Sequence, residues 1–195
     1  MTDLVIDDRV ILNRSRTISI SGEIDSDTVE YVARRLHYLN ALNDKPVIVT
    51  LTSNGGDPEA GVGICGLLEA SPAEVHLVAA GKAYSTAADM LALGPRGRRY
   101  ITPLTVLLFH PARIVLDFEE IAVAHQGTVF AKEYEELLIK QIAARSKFSK
   151  KALTTALRHG LWLTASDCLK KGIADAMWDE TTAAAVLKRI RGKPS

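Results

Sequence analysis

The chain has 195 residues, of which 47% are hydrophobic and 24% charged. That fits one globular domain and excludes disordered, collagen-like and coiled-coil chains. With 24 basic and 23 acidic residues the net charge is +1, so no global field draws the protein to nucleic acid or to an acidic membrane surface. Cys65 and Cys168 form neither a disulfide framework nor a zinc pattern. The opening MTDLVIDDRV lacks a signal-peptide layout, and no apolar run is long enough to span a membrane. A cytoplasmic protein is expected.

Residues 17–24, TISISGEI, alternate apolar and polar and predict a strand with one covered face. After Asp25 and Asp27, the spacing of Val29, Val32, Leu36 and Leu39 predicts an amphipathic helix, broken at Asn43-Asp44. Val47–Leu51 reads as a buried strand, Ser53-Asn54-Gly55-Gly56 as a turn, and Asp57-Pro58 as the cap and first residue of a helix with Ala60, Ile64, Leu67 and Leu68 inward. Val75–Ala80 is a strand closed by Gly81, Ser85–Leu93 a buried helix, and Leu104–Phe109 a further strand ending at His110. A long helix is predicted over about 118–145, with Ile121, Leu138 and Ile142 among its apolar positions, and a shorter one over 150–159. Thr164 with Asp167 forms a capping box for a helix that Gly172 ends. A last helix over 181–190 precedes a frayed RGKPS. This alternation predicts an α/β protein with a mainly parallel sheet and right-handed crossovers.

In open α/β sheets ligands bind at the C-terminal ends of the strands. Three turns fall there. Gly55-Gly56 before a helix start lets backbone approach a ligand and offers N–H groups to an oxyanion, although a Gly-Gly pair also serves a tight turn with no ligand. Ser85 opens the buried helix, where it is either an N-cap or an exposed nucleophile with the Thr86 N–H beside it. His110 at a strand end, before Pro111, is either structural or the base that activates a serine. His37, His76, His125 and His159 have no comparable setting, and His37 and His125 are expected on solvated helix faces.

Order and spacing together add more. Ser-Asn-Gly-Gly-Asp over 53–57, Gly-Lys-Ala-Tyr-Ser-Thr-Ala-Ala over 81–88, Gly94–Tyr100, Thr102–Pro111 and Trp162–Asp175 resemble, in order, motifs of the Clp protease proteolytic-subunit family, ClpP. The resemblance covers about residues 17–180. It implies the ClpP/crotonase-like fold of repeated β-β-α units, with a projecting handle helix over about 117–150, a short N-terminal arm over 1–16 and a tail over 181–195 around one domain. It implies a serine peptidase with Ser85 as nucleophile, His110 as base and the backbone N–H groups of Gly56 and Thr86 as oxyanion hole, using no metal or organic cofactor. Peptide or unfolded protein would lie extended near Gly55-Gly56 by strand addition. The family assembles from copies of itself as stacked seven-membered rings and works with an ATP-driven unfoldase.

The sequence departs from the family pattern at the matched triad acid, in the N-terminal arm and beside Ser85. The position matched to the family's third triad member, an acid, is Gly160, or His159 if the alignment slips by one, and neither is an Asp. Asp117 opens the handle and Asp167 belongs to the capping box, so each has a structural explanation. The arm MTDLVIDDRVILNRSR does not resemble the family's unfoldase-contacting segment. Tyr84 and Asp89 stand where the family has small or apolar residues. Two alternatives follow: a non-catalytic or weakly active Clp-like subunit and, more remotely, a crotonase-type acyl-CoA enzyme, against which the serine–histidine pair argues.

Overall fold

The structure, a computed structural model, describes residues 8–111 and 121–191, with side chains from 12 and from 125 onward in the two segments. The first seven residues of the arm, Arg113, Asp117, the start of the expected handle and residues 192–195 lie outside the described residues.

Seven strands form one sheet among the described residues. β1 (Thr17–Ile24), β2 (Val47–Gly56) and β3 (Val75–Tyr84) lie side by side and parallel. β3 then divides its edge. Leu77–Ala79 pair with β4 (Arg99–Ile101), and Lys82–Tyr84 pair with β5 (Val106–Phe109). β4 continues to β7 (Ala176–Met177), also parallel, and β5 takes β6 (Leu161–Thr164) as its antiparallel neighbour. The expected α/β class and mainly parallel sheet are therefore present.

The helices follow from the apolar periodicity. α2 (Ser26–Leu42) buries Val32, Leu36 and Leu39. It starts at Asp25, whose Oδ1 accepts the Thr28 N–H at 2.8 Å. α3 (Pro58–Glu69) is capped by Asp57 and buries Ala60, Ile64 and Leu68. Every residue of α4 (Thr86–Leu93) is buried except Asp89 and Leu93, which are partly so. Across the sheet, α8 (Glu180–Arg191) lays Val186 and Ile190 on Ile48, Val78 and Tyr100. α5 (Ile121–Ala144) has two characters. Ile139 and Ile142 near its end are buried, whereas Val129, Phe130 and Leu137 are exposed. That is the pattern of a helix anchored at one end and projecting from the other. α6 (Lys150–Leu157) and α7 (Ala165–Lys171) follow it, with the Thr164–Asp167 capping box and the left-handed Gly172 as expected.

Four details differ from the sequence reading. Ser53–Gly56 is the continuation of β2, in which Gly55 and Gly56 pair with Glu23 and Ile24 after a register shift. Gly81 lies inside β3, where its φ of +75° bends the strand between its two partners, and Thr105 Oγ1 accepts its N–H at 2.9 Å. Leu104 is 91% exposed and precedes β5 rather than opening it. The short β4, β6 and β7, and the helix α1 (Asp8–Ser15), were not expected. β4 and β7 have too few residues for a periodic signal, and β6 exists only as the partner of β5.

Arg99 joins the layers. Its guanidinium donates to Asp175 Oδ1 at 2.6 Å and Oδ2 at 2.9 Å, and to the carbonyls of Ala92 at 2.9 Å, Arg145 at 3.2 Å and Gly172 at 3.1 Å. One buried side chain thus ties α4, the residue after α5 and the residue after α7 to the sheet edge. Arg99→Ala takes the guanidinium from three carbonyls and from the partly buried Asp175, which keeps backbone donors such as the Arg99 N–H at 3.0 Å. A loss of about 3–5 kcal/mol is expected by chemical denaturation, and Arg99→Lys, lacking the planar fork, recovers little of it.

Candidate active site

Parallel strands end on the same edge, so the fold collects the ends of β2, β3 and β5 at one place. Tyr84 of β3 pairs with Leu108 of β5, and the Ser85 N–H donates to Leu108 O at 2.7 Å. Ser85 and His110 therefore sit at neighbouring strand ends although 25 residues separate them. The end of β2 closes the third side.

Ser85 has φ +55° and ψ −128°, outside the conformations that L residues prefer, and its side chain makes no capping hydrogen bond. The simple N-cap role is thus not what the serine performs. Its strain is held by its N–H on Leu108 and by its carbonyl, which accepts from Ala88 at 2.8 Å and Asp89 at 3.1 Å. A Cβ at Gly55 would stand 2.7 Å from both Ser85 Cβ and Tyr84 O. Gly56 has φ +152°, and a Cβ there would reach Ile24 O at 2.2 Å. Both glycines are required by contact as well as by conformation.

The end of β2 and the start of α4 meet beside Ser85. Thr86 is the first residue of α4, so its N–H has no acceptor within the helix. Gly56 is paired with Ile24, whose carbonyl takes the Asp57 N–H at 2.7 Å. In a parallel pair only one residue directs its peptide groups at the other strand, so Gly56 turns its own toward α4. Its carbonyl there accepts the Thr86 hydroxyl at 2.8 Å.

His110 is exposed, and its Nδ1 lies 2.8 Å from Pro111 O. A carbonyl can only accept, so Nδ1 donates in this contact, and in the neutral ring that tautomer places the lone pair on Nε2. Among the described residues no carboxylate meets His110. Gly160, φ +77°, lies beside the same strand end, since a Cβ there would sit 3.6 Å from Leu108 Cδ1 and 3.9 Å from Phe109 O. Asp167 is spent on its capping box, and Asp117 is outside the described residues. Tyr84 packs edge-on against Trp162, with ring centroids 5.4 Å apart. His37, His125 and His159 are exposed. His76 is buried on the opposite sheet face, 3.3 Å from the Tyr100 hydroxyl, and burial pushes its pKa down to about 4.

Gly56, Ser85, Thr86 and His110 all line one cavity of about 480 Å³. The structure brings them around a common space, with no hydrogen bond between Ser85 and His110. Gly160 does not line it. The opposite wall comes from α5, with Phe130, Tyr134, Glu135 and Leu138. The sequence alone gave no signal for these, because nothing local fixes which face of the long helix turns to Ser85. Asp89 lines the cavity too, and burial, with Glu135 nearby, pushes its pKa up to about 7. Among the described residues no group of three or more His, Cys, Asp or Glu is arranged to hold a metal ion, and no helix is long and apolar enough to cross a membrane.

A model of the family described as Clp protease matches residues 3–181. The chain is 26% identical over 163 residues to ATP-dependent Clp protease proteolytic subunit 2 of Treponema denticola, covering 82% of this chain and 80% of that one. It is 26% identical over 165 residues to the ATP-dependent Clp protease proteolytic subunit of Borreliella afzelii, covering 84% and 83%.

The raised pKa of Asp89 makes stability depend on pH. The folded state keeps a proton that the unfolded chain releases near the ordinary value of 3.8, so stability falls as pH rises from there to about 7. Asp89→Asn removes this slope. At pH 8 the variant is expected to be more stable than the parent by about 1–4 kcal/mol, with the difference vanishing near pH 4; thermal melts across that range measure it.

Proposed function

The chain belongs to the Clp protease family, and on that premise we propose that it is a serine endopeptidase acting on peptides or unfolded proteins through Ser85 and His110. The observation that carries the proposal is the strained Ser85, pressed against Gly55 and sharing one cavity with His110 and the start of α4.

In this reading His110 Nε2 removes the Ser85 hydroxyl proton as Oγ attacks the peptide carbonyl. The N–H groups of Gly56 and Thr86 hold the tetrahedral oxyanion. His110 returns its proton to the leaving amine, and water then releases the acyl group by the same route. The Pro111 carbonyl keeps the imidazole in the tautomer this needs. Substrate lies extended beside Gly55-Gly56, and no metal or cofactor enters the reaction. Assembly is through α5 into stacked rings of seven copies enclosing the sites, supported by the exposed Val129, Phe130 and Leu137. A cytoplasmic location and a partnership with an ATP-driven unfoldase belong to the same proposal, although the arm that would make the contact lacks the family's pattern.

One observation favours the alternative of a non-catalytic or weakly active subunit: the absence of a carboxylate on His110 among the described residues. A fluorophosphonate probe separates the two. Labelling at Ser85, with hydrolysis of a fluorogenic peptide that drops about a thousandfold or more in Ser85→Ala and in His110→Ala, is the expected outcome. A folded protein that neither labels nor cleaves overturns the peptidase reading.

A further inference from the structure

The cavity beside Ser85 has apolar walls and an acidic floor. Phe130, Leu138, Ile139 and Ile142 supply the walls. Asp57, Glu59, Asp89 and Glu135 also line it, and among the described residues His110 is the one basic lining group.

Two of the acids have local explanations. Asp57 caps α3, with Oδ1 accepting the Glu59 N–H at 2.8 Å, and Glu59 stands in the first turn of that helix, where its charge is favoured. Asp89 and Glu135 have none. Neither carboxyl meets a cation or hydrogen-bond donor among the described residues. Asp89 is enclosed by protein yet keeps part of its surface accessible, and as a lining residue it opens that surface on the cavity. An unpartnered acid inside the otherwise small and apolar TAADMLAL helix is costly for folding.

Position adds direction. Asp89 is four residues after Ser85, so it lies one turn along the same helix face, about 6 Å further on. That is roughly the reach of the four-carbon stem of a lysine. A long side chain entering beside Ser85 would lay its methylenes on the α5 wall and bring its charged end to the floor. A cation there supplies the partner Asp89 lacks, and its approach favours the ionised carboxylate that burial otherwise suppresses.

We propose that this cavity is a specificity pocket for a basic side chain, lysine or arginine, on the residue whose carbonyl Ser85 attacks, with Asp89 at its floor and Glu135 as the second carboxylate. The proposal rests on the Ser85 reading above for the placement of the bond, and the test separates the two.

Binding is measured by fluorescence anisotropy on the full-length Ser85→Ala protein, at pH 8 and fixed ionic strength. The labelled peptides are C-terminal amides identical except for a final lysine, arginine or norleucine; a fourth ends in norleucine and carries its lysine three residues earlier. The lysine and arginine peptides are expected to bind at least about tenfold tighter than norleucine, and the displaced lysine is expected to confer less than half of that gain on a logarithmic scale. Asp89→Leu, added to Ser85→Ala, should remove the preference, and Glu135→Gln should weaken it. If the norleucine peptide binds as tightly as the lysine peptide, the proposal is overturned whatever the variants do. Coumarin amides of the same peptides, offered to the parent protein, test the other reading. Preferential binding without hydrolysis leaves the pocket standing and removes the peptidase assignment; hydrolysis with no basic preference does the reverse.

Discussion

The end of β2 runs so close to Ser85 that no side chain fits between them. This contact organises the site. Ser85 holds a backbone conformation that costs an L residue about 1–3 kcal/mol, and four neighbours keep it there: Leu108, the N–H groups of Ala88 and Asp89, and the bare Cα of Gly55. Because Gly55 yields the space, Gly56 reaches the start of α4 and its carbonyl takes the Thr86 hydroxyl. A single close approach therefore sets Ser85 beside both the end of β2 and the start of α4. Loosening it would move both together.

The frame around this contact is polar and buried rather than simply greasy. Arg99 binds the carbonyls of Ala92 and Arg145, near the ends of α4 and α5, and Arg145 Nη1 donates to Leu93 O at 2.9 Å. The two helices that face each other across the cavity are thus fixed at their C-terminal ends through arginines. Helix carbonyls left over at those ends need such donors, and meeting them with guanidinium groups also sets the spacing of the cavity walls. Folding chemistry and pocket shape depend here on the same hydrogen bonds.

Much of this was legible in the sequence. The strands TISISGEI and VHLVAA, the cap at Asp57, the Thr164–Asp167 box and the junctions carrying Ser85 and His110 all announce themselves within a few residues. What was not legible depends on distant partners. Gly55-Gly56 reads locally as a turn because a ladder to Glu23 and Ile24 cannot be seen from residues 53–56. The division of β3 between β4 and β5 hinges on Gly81 and on Thr105, which is 24 residues away. The α5 wall of the cavity follows from a long helix whose facing side is set by Ile139 and Ile142. Asp89 stood out as an acid among small residues, but its meaning needed the wall opposite.

Among the described residues no carboxylate meets His110, and this bears on the proposed mechanism. A carboxylate on the imidazole of a serine peptidase does two things: it fixes the tautomer with the free lone pair at Nε2, and it stabilises the imidazolium that forms during attack. The ten-thousand-fold loss on converting that acid to its amide is assigned to the wrong tautomer. In the proposed reaction the Pro111 carbonyl, 2.8 Å from Nδ1, can only accept and would perform the first task without an acid. It contributes a dipole, not a charge, to the second. With Gly160 at the matched position, the proposed reaction would run without that electrostatic contribution from position 160. Asp89 and Glu135 line the cavity without meeting His110 among the described residues, so in the proposed reaction their charge would act on what binds rather than on the imidazole tautomer.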